Sequence, residues 1–82
     1  MAKVTLTADT WTSIINTTVE TAIQNNSSRP ITLYVGSTSG VDRDAGIILD
    51  PKDCVVFGAS MSVSGYIVGR NGIATTLPLK AS

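Results

Sequence analysis

Histidine is absent from this chain of 82 residues, and cysteine occurs once, as Cys54. The commonest general base and metal ligand is therefore missing, and a single thiol can form neither an intrachain disulfide nor the usual zinc site of cysteines and histidines. Small domains are commonly stabilised by disulfides, metals or oligomerisation. Because this composition disfavours the first two, we expect a homo-oligomer with no cofactor and no bound metal.

Charge is scarce and balanced. Six basic and six acidic residues give a formal net charge of zero, and charged residues make up 15% of the chain, against about 25% in an average soluble domain. Nucleic-acid binding requires a basic patch, so no nucleic-acid partner is expected. The chain start has no apolar signal-peptide core, and no run approaches the ~18 apolar residues of a membrane span. We expect a soluble protein, made in a cytoplasm, without a membrane partner.

Alternation of apolar and polar residues predicts short β-strands. Residues 3–7, 19–24 and 31–35 alternate with a period of two, which is the period of a half-buried strand. The alternate positions on one face are Val4 and Leu6, then Val19, Thr21 and Ile23, then Ile31, Leu33 and Val35. Residues 11–15 fit either a helical turn or a strand, and we favour a short turn followed by a strand. The whole pattern predicts one all-β domain over residues 1–82, a small antiparallel sandwich or barrel of six to eight short strands.

Turn-forming residues predict two hairpins. Asn-Asn-Ser-Ser at residues 25–28 separates two strand patterns, and Asn71-Gly72 tolerates the positive φ angles of a two-residue type I′ loop. The C-terminal hairpin would pair residues 63–70 with 73–79, and Pro78 would place its last strand at a sheet edge. The face that this hairpin would bury carries Tyr66, Val68, Ile73, Leu77 and Leu79.

The residues that could carry catalysis or bind metal do not match the patterns that those functions require. Asp42 and Asp44 resemble the start of a calcium loop, but Gly46 and Asp53 break its pattern at the fifth and twelfth positions. The carboxylates could form a glycosidase pair only in a rigid cleft. Cys54 has no histidine to activate it and precedes an apolar run, so a buried structural thiol is expected. We therefore predict that the chain is not an enzyme.

Aromatic residues offer a binding hypothesis with two alternatives. Trp11, Tyr34 and Tyr66 could form a sugar-binding platform, or they could lie in the core or in a protein interface, where aromatic residues are also common. For self-association the candidates are Trp11, Tyr66 and Ile67, as outward apolar groups near glycines. Residues 36–46 are rich in glycine and serine and predict an exposed loop. The partner-contact candidates in this loop are Ser37, Thr38, Asp42, Arg43 and Asp44.

The order of four segments resembles a known family. Residues 22–27 (Ala-Ile-Gln-Asn-Asn-Ser) precede the extended residues 30–36, and the turn-containing residues 46–53 precede Gly-Tyr-Ile-Val-Gly-Arg at 65–70. This order resembles the small β-rich virion proteins of tailed bacteriophages, including capsid decoration and head–tail proteins. Lys52 departs from the pattern, because a glycine is common after the proline of that turn.

The resemblance implies a structural role in a virion. Such a protein would be made in the host cytoplasm, form a homo-oligomer, with a trimer favoured, and bind a capsid or other virion protein. The resemblance supplies no catalytic residue. The alternative that we keep is a small glycan- or receptor-binding β module that uses Trp11 and the loop at residues 36–46.

Overall fold

A computed structural model describes residues 2–16, 19–36, 46–58 and 61–79, and these residues form eight β-strands without a helix. Valine, isoleucine and threonine are frequent in the strands, because β-branched side chains fit a pleated, half-buried surface. The all-β fold class is confirmed. The strands are β1 (Ala2–Leu6), β2 (Thr12–Asn16), β3 (Thr21–Asn25), β4 (Ile31–Val35), β5 (Ile47–Leu49), β6 (Cys54–Phe57), β7 (Ser62–Tyr66) and β8 (Gly72–Pro78).

The strands form two antiparallel sheets of four, which face each other as a sandwich. Sheet 1 has the order β1-β8-β3-β6, and sheet 2 has the order β2-β7-β4-β5. The pairing is nested: β1 with β8, β2 with β7, β3 with β6 and β4 with β5, joined by β3 with β8 and β4 with β7. This is the strand order of a jelly roll, which combines two Greek keys. Every connection between consecutive strands changes sheet except that from β4 to β5.

The core lies between the two sheets and is almost entirely aliphatic. Alternate residues of each strand point inward, as the two-residue period of a strand requires. Phe57 is the one aromatic residue among the buried core side chains of the described residues. The core consists of Leu6, Ile15, Ile23, Ile31, Leu33, Leu49, Phe57, Val63, Ile67 and Ala74.

Neither predicted hairpin is formed. β3 and β4 lie in different sheets, and so do β7 and β8. The turn signals are real, but each turn carries the chain over the end of the sandwich. At the second turn, Asn71 Oδ1 accepts a 2.8 Å hydrogen bond from Ala8 N, and Gly69 has a φ of 87°. This turn is therefore held by the connection between β1 and β2, and not by pairing between the two strands that it joins.

The prediction of which face of the C-terminal segment is buried is also wrong. Val68, Ile73 and Leu77 are between 39% and 46% exposed. Because β7 and β8 pair with other strands, the inward residues are the alternate ones, including Ile67 at 1% and Ala74 at 0% exposed. A shift of one position transfers every side chain of a strand to the opposite face.

The last strand, β8, is central rather than an edge, because it pairs with both β1 and β3. Pro78 is tolerated there for a geometric reason. Leu79 N donates to Glu20 O at 2.7 Å, so the preceding residue directs its nitrogen away from β3, since alternate residues bond to alternate sides. On that other side, β1 pairs with β8 only as far as Thr76. The missing N–H of Pro78 therefore interrupts no ladder hydrogen bond of the described strands.

The short turn and strand predicted for residues 11–15 are confirmed. Asp9 adopts a φ of 57°, and β2 begins at Thr12. A bulge between Ser13 and Ile15 interrupts its pairing with β7. Of the predicted loop at residues 36–46, positions 37–45 lie outside the described residues.

Candidate functional site

Three of the four aromatic residues of the chain gather on the outer surface of sheet 2. Trp11 contacts Tyr66 with ring centroids 5.3 Å apart and Tyr34 with centroids 6.0 Å apart, both edge to face. Each of the three side chains is half-buried. A core of this size would ordinarily use such rings, which bury more apolar area than any aliphatic side chain. Their position outside the core makes this aromatic cluster the leading candidate site.

Strand register explains how residues so distant in sequence meet. Trp11 directly precedes Thr12, which pairs with Gly65, so Trp11 lies level with Tyr66. Tyr34 pairs with Ser64 on the other side of β7. The Trp11 ring reaches across β7 to contact Tyr34 on the far side of that strand.

Hydroxyl groups and one aliphatic residue surround the cluster. Ser13 pairs with Ser64, and Thr32 lies between Tyr66 and Ile48 in the register of β7, β4 and β5. Thr32 is 9% exposed and Ile48 is 58% exposed. Apolar rings bordered by a few hydroxyl groups suit a ligand that has one apolar face and hydrogen-bonding groups at its rim.

Of the three residues proposed for self-association, two belong to the cluster. Trp11 and Tyr66 contact each other on the outer face of sheet 2. The interpretation of Ile67 as an outward group is wrong, because this side chain is 1% exposed and belongs to the core. Its position between Tyr66 and Val68 gives it the opposite face of the strand, which the sequence alone did not orient.

The five residues proposed for partner contact, Ser37, Thr38, Asp42, Arg43 and Asp44, lie outside the described residues. Asp53 is described, and it forms the turn between β5 and β6, where its N–H donates to Asp50 O at 3.0 Å. No cluster of three or more metal-ligating side chains occurs within the described ranges. No helix within those ranges is long and apolar enough to cross a membrane.

Sheet 1 presents a second, aliphatic surface that the sequence did not reveal. Val56, Ala22 and Leu77 form one row across β6, β3 and β8. Val56 is 52% and Leu77 is 43% exposed. The next row contains Gln24 and Cys54, and the two rows border a shallow depression of about 150 Å³.

Cys54 is exposed, which corrects its interpretation as a buried thiol. The apolar run that follows it suggested burial, but β6 is an edge strand whose inward residues are Val55 and Phe57. Cys54 shares the outward face with Val56. A catalytic thiol requires an activating group nearby, and the residues that line the depression with Cys54 include no base. These residues are Ala22, Gln24, Thr75 and Leu77.

No protein-family model, no curated protein and no solved structure matches this chain.

Proposed function

We propose that this chain is a non-enzymatic structural protein of a bacteriophage virion, which self-associates and binds a capsid or tail surface, with capsid decoration favoured. The observation that carries the proposal is the amount of exposed apolar side chain. Nine large hydrophobic residues of the described ranges are at least 39% exposed, and Ile48 reaches 58%. Apolar patches on the surface of a small protein mark interaction sites.

Composition supports an assembly role over a catalytic one. The chain has a formal net charge of zero and no histidine. A surface of aliphatic and hydroxyl side chains binds through shape, apolar contact and backbone hydrogen bonds, whereas catalysis requires positioned groups that exchange protons or stabilise charge. Assignment to a virion rests on the segment order described above. The jelly roll agrees with it without deciding it, because viral capsid proteins and lectins both use this fold.

Co-sedimentation with phage particles tests the proposal. The purified chain is mixed with heads and tails from a panel of tailed phages, and the bound fraction is measured after sedimentation. We expect saturable binding that Leu77→Lys weakens at least about tenfold by placing a charge on the apolar row. Thr5→Lys, an exposed position of the same sheet, is the matched control and should bind like the parent chain. Absence of binding to every particle type would contradict the proposal.

A second candidate is a glycan- or receptor-binding module, which the aromatic cluster favours. A pyranose ring has a face of C–H groups that stacks on an aromatic ring, and its hydroxyl groups could bond to Ser13 and Ser64 beside the cluster. The edge-to-face contacts hold Trp11 in place. Binding would therefore lose little side-chain entropy.

Fluorescence separates this candidate from the first. Trp11 is the sole tryptophan of the chain, so its emission reports the cluster alone while a glycan panel is titrated. A bound sugar should shift the emission, Tyr34→Ala should weaken binding about tenfold or more, and Tyr34→Phe, which keeps the ring, should retain most of it. An unchanged spectrum across the panel would count against glycan binding and leave the virion proposal standing.

A further inference from the structure

The two sheets end in four edge strands, β1 and β6 in sheet 1 and β2 and β5 in sheet 2. Open edges invite pairing with another chain, and proteins commonly block them with charge, bulges or short length. β1 carries Lys3, β2 contains its bulge, and β5 is three residues long. β6 has four residues and lacks both charge and a bulge: Cys54–Phe57 is uncharged, contains no proline, and pairs with β3 without a register shift.

The hydrogen bonds of β6 show which backbone groups are free. Asn25 N donates to Asp53 O at 3.1 Å, in the register that pairs β3 with β6. Alternate residues of an antiparallel strand bond to alternate sides. Val55 and Phe57 therefore bond to β3, and the N–H and C=O groups of Cys54 and Val56 point to the opposite side. No strand of the described residues pairs there.

The outward face beside this edge is apolar. Val56 is 52% exposed and begins the row that continues through Ala22 to Leu77 on sheet 1. Ile48 on β5 lies on the outer surface of sheet 2, on the opposite face of the sandwich, and does not contribute to this row. A partner strand paired with β6 would therefore extend the apolar row of Val56, Ala22 and Leu77.

We propose that a second copy of this chain pairs its β6 antiparallel with β6 of the first copy, about a two-fold axis at Val55. The two copies of sheet 1 then join into one continuous sheet of eight strands. In this register Cys54 of one copy lies opposite Val56 of the other, so the free N–H of each meets the free C=O of its counterpart. The outward faces also match, because Cys54 and Val56 both point outward.

A second copy is the favoured occupant because the edge is complementary to itself. Every free backbone group of β6 is satisfied by its own symmetry mate, which is what a closed two-fold interface requires. The acidic side chain next to the strand meets no like charge in this register, since Asp53 of one copy faces Phe57 of the other. Pairing about this axis yields a dimer rather than the trimer implied by the resemblance. This inference rests on the self-association in the proposed function and specifies its surface.

Two measurements on the full chain test the interface. Light scattering after size exclusion should give twice the chain mass of 8.5 kDa. In the dimer, hydrogen exchange at the Cys54 and Val56 amides should be slowed at least about tenfold relative to a dilute, monomeric sample, as expected when a free amide becomes part of a ladder. A monomer at millimolar concentration, or an oligomer in which both amides exchange freely, would overturn the inference.

Val56→Pro removes the edge N–H without removing a bond to β3, and proline is tolerated at edge positions whose N–H faces solvent. We expect it to halve the mass, whereas Val56→Thr, which keeps the N–H, should remain dimeric. If circular dichroism shows that the proline variant does not fold, Val56→Lys supplies a charged edge and should also give a monomer. If Val56→Pro and Val56→Lys both remain dimeric, the inference is overturned.

Particle binding separates this inference from the proposed function. A dimer with protected Cys54 and Val56 amides that binds no phage particle would contradict the virion proposal and support the β6 interface. Conversely, a chain that binds particles but whose β6 amides remain unprotected would support the virion proposal and overturn the interface.

Discussion

The side-chain amide of Asn25 donates a 2.8 Å hydrogen bond to the carbonyl oxygen of Leu49, and this bond joins β3 of sheet 1 to β5 of sheet 2. The same amide donates to Arg29 O at 2.8 Å, and Asn25 Oδ1 accepts from Ser27 N at 2.8 Å. Asn25 is 0% exposed. Apolar contacts between the sheets have little directional preference, so this buried network fixes their relative position.

Asn25→Ala should destabilise the fold strongly. It removes the three side-chain hydrogen bonds and leaves the buried backbone groups of Ser27 and Leu49, and the carbonyl of Arg29, without these partners. The expected cost is about 2–4 kcal/mol in the free energy of unfolding. Urea denaturation measures the loss. Gln24→Ala is the neighbouring control, because Gln24 is half-buried and donates one 3.2 Å bond to Lys52 O; it should cost less than about 1 kcal/mol. Equal losses in the two variants would contradict the role assigned to Asn25.

Gly72→Ala should also destabilise the protein. A Cβ at this position would clash with Ser27 Oγ and lie 2.6 Å from Ile67 Cδ1. Ser27 Oγ accepts from Ile73 N at 2.8 Å and donates to Ile73 O at 3.2 Å, so its displacement disturbs two bonds as well as the core. We expect a loss of about 1–3 kcal/mol, measured by thermal or urea unfolding.

Gly58→Ala is the control for that substitution. A Cβ on Gly58 would meet only Met61 Cε, at 3.8 Å, which is ordinary van der Waals contact. The change should alter stability by less than about 1 kcal/mol. A Gly72→Ala variant as stable as Gly58→Ala would show that the space beside Ser27 can expand without loss.

The sequence predicts the strands well because each strand's pattern is local. Residues 3–7, 19–24 and 31–35 show a two-residue period, and each range shares at least four residues with a strand. Partners are not local in a nested topology. β1 pairs with β8, so the residues that decide its register lie at the other end of the chain. A turn signal such as Asn71-Gly72 reports that the chain reverses, and it carries no information on which sheet the chain enters next.

The aromatic cluster also could not be predicted from local sequence patterns alone. Trp11, Tyr34 and Tyr66 are identifiable as candidates because so few aromatics are present, but only the pairing of β7 with both β2 and β4 brings them together. The prediction that Cys54 is buried fails for a related reason. Its apolar neighbours predict burial, and its place on an edge strand leaves alternate side chains exposed.

Asn71 provides a direct test of the turn. In a type I′ hairpin, glycine replaces asparagine with little loss because both tolerate positive φ. Here Asn71 Oδ1 accepts the hydrogen bond from Ala8 N, so Asn71→Gly should cost about 0.5–1.5 kcal/mol. Asn71→Asp keeps an acceptor at the same place and should retain most of the stability. Unfolding curves in urea give both values, and a fully stable glycine variant would favour the hairpin instead.

Thiol reactivity tests the exposure of Cys54. Since Cys54 is exposed, we expect a disulfide reagent such as 5,5′-dithiobis(2-nitrobenzoic acid) to modify one thiol per chain in the native protein, at a rate within about tenfold of that in urea. In the proposed β6 dimer the side chain of Cys54 points out of the sheet, so dimerisation should leave this reaction possible.

A matched variant moves the thiol into the core. Val63 is 0% exposed, so Val63→Cys combined with Cys54→Ser should react only as fast as the protein unfolds, at least about a hundredfold more slowly than Cys54 in the parent chain. Urea should remove the difference between the two proteins. If native Cys54 reacts as slowly as the thiol at position 63, then β6 is covered on its outward face, and both the apolar row of Val56, Ala22 and Leu77 and the free edge beside it would be closed to a partner.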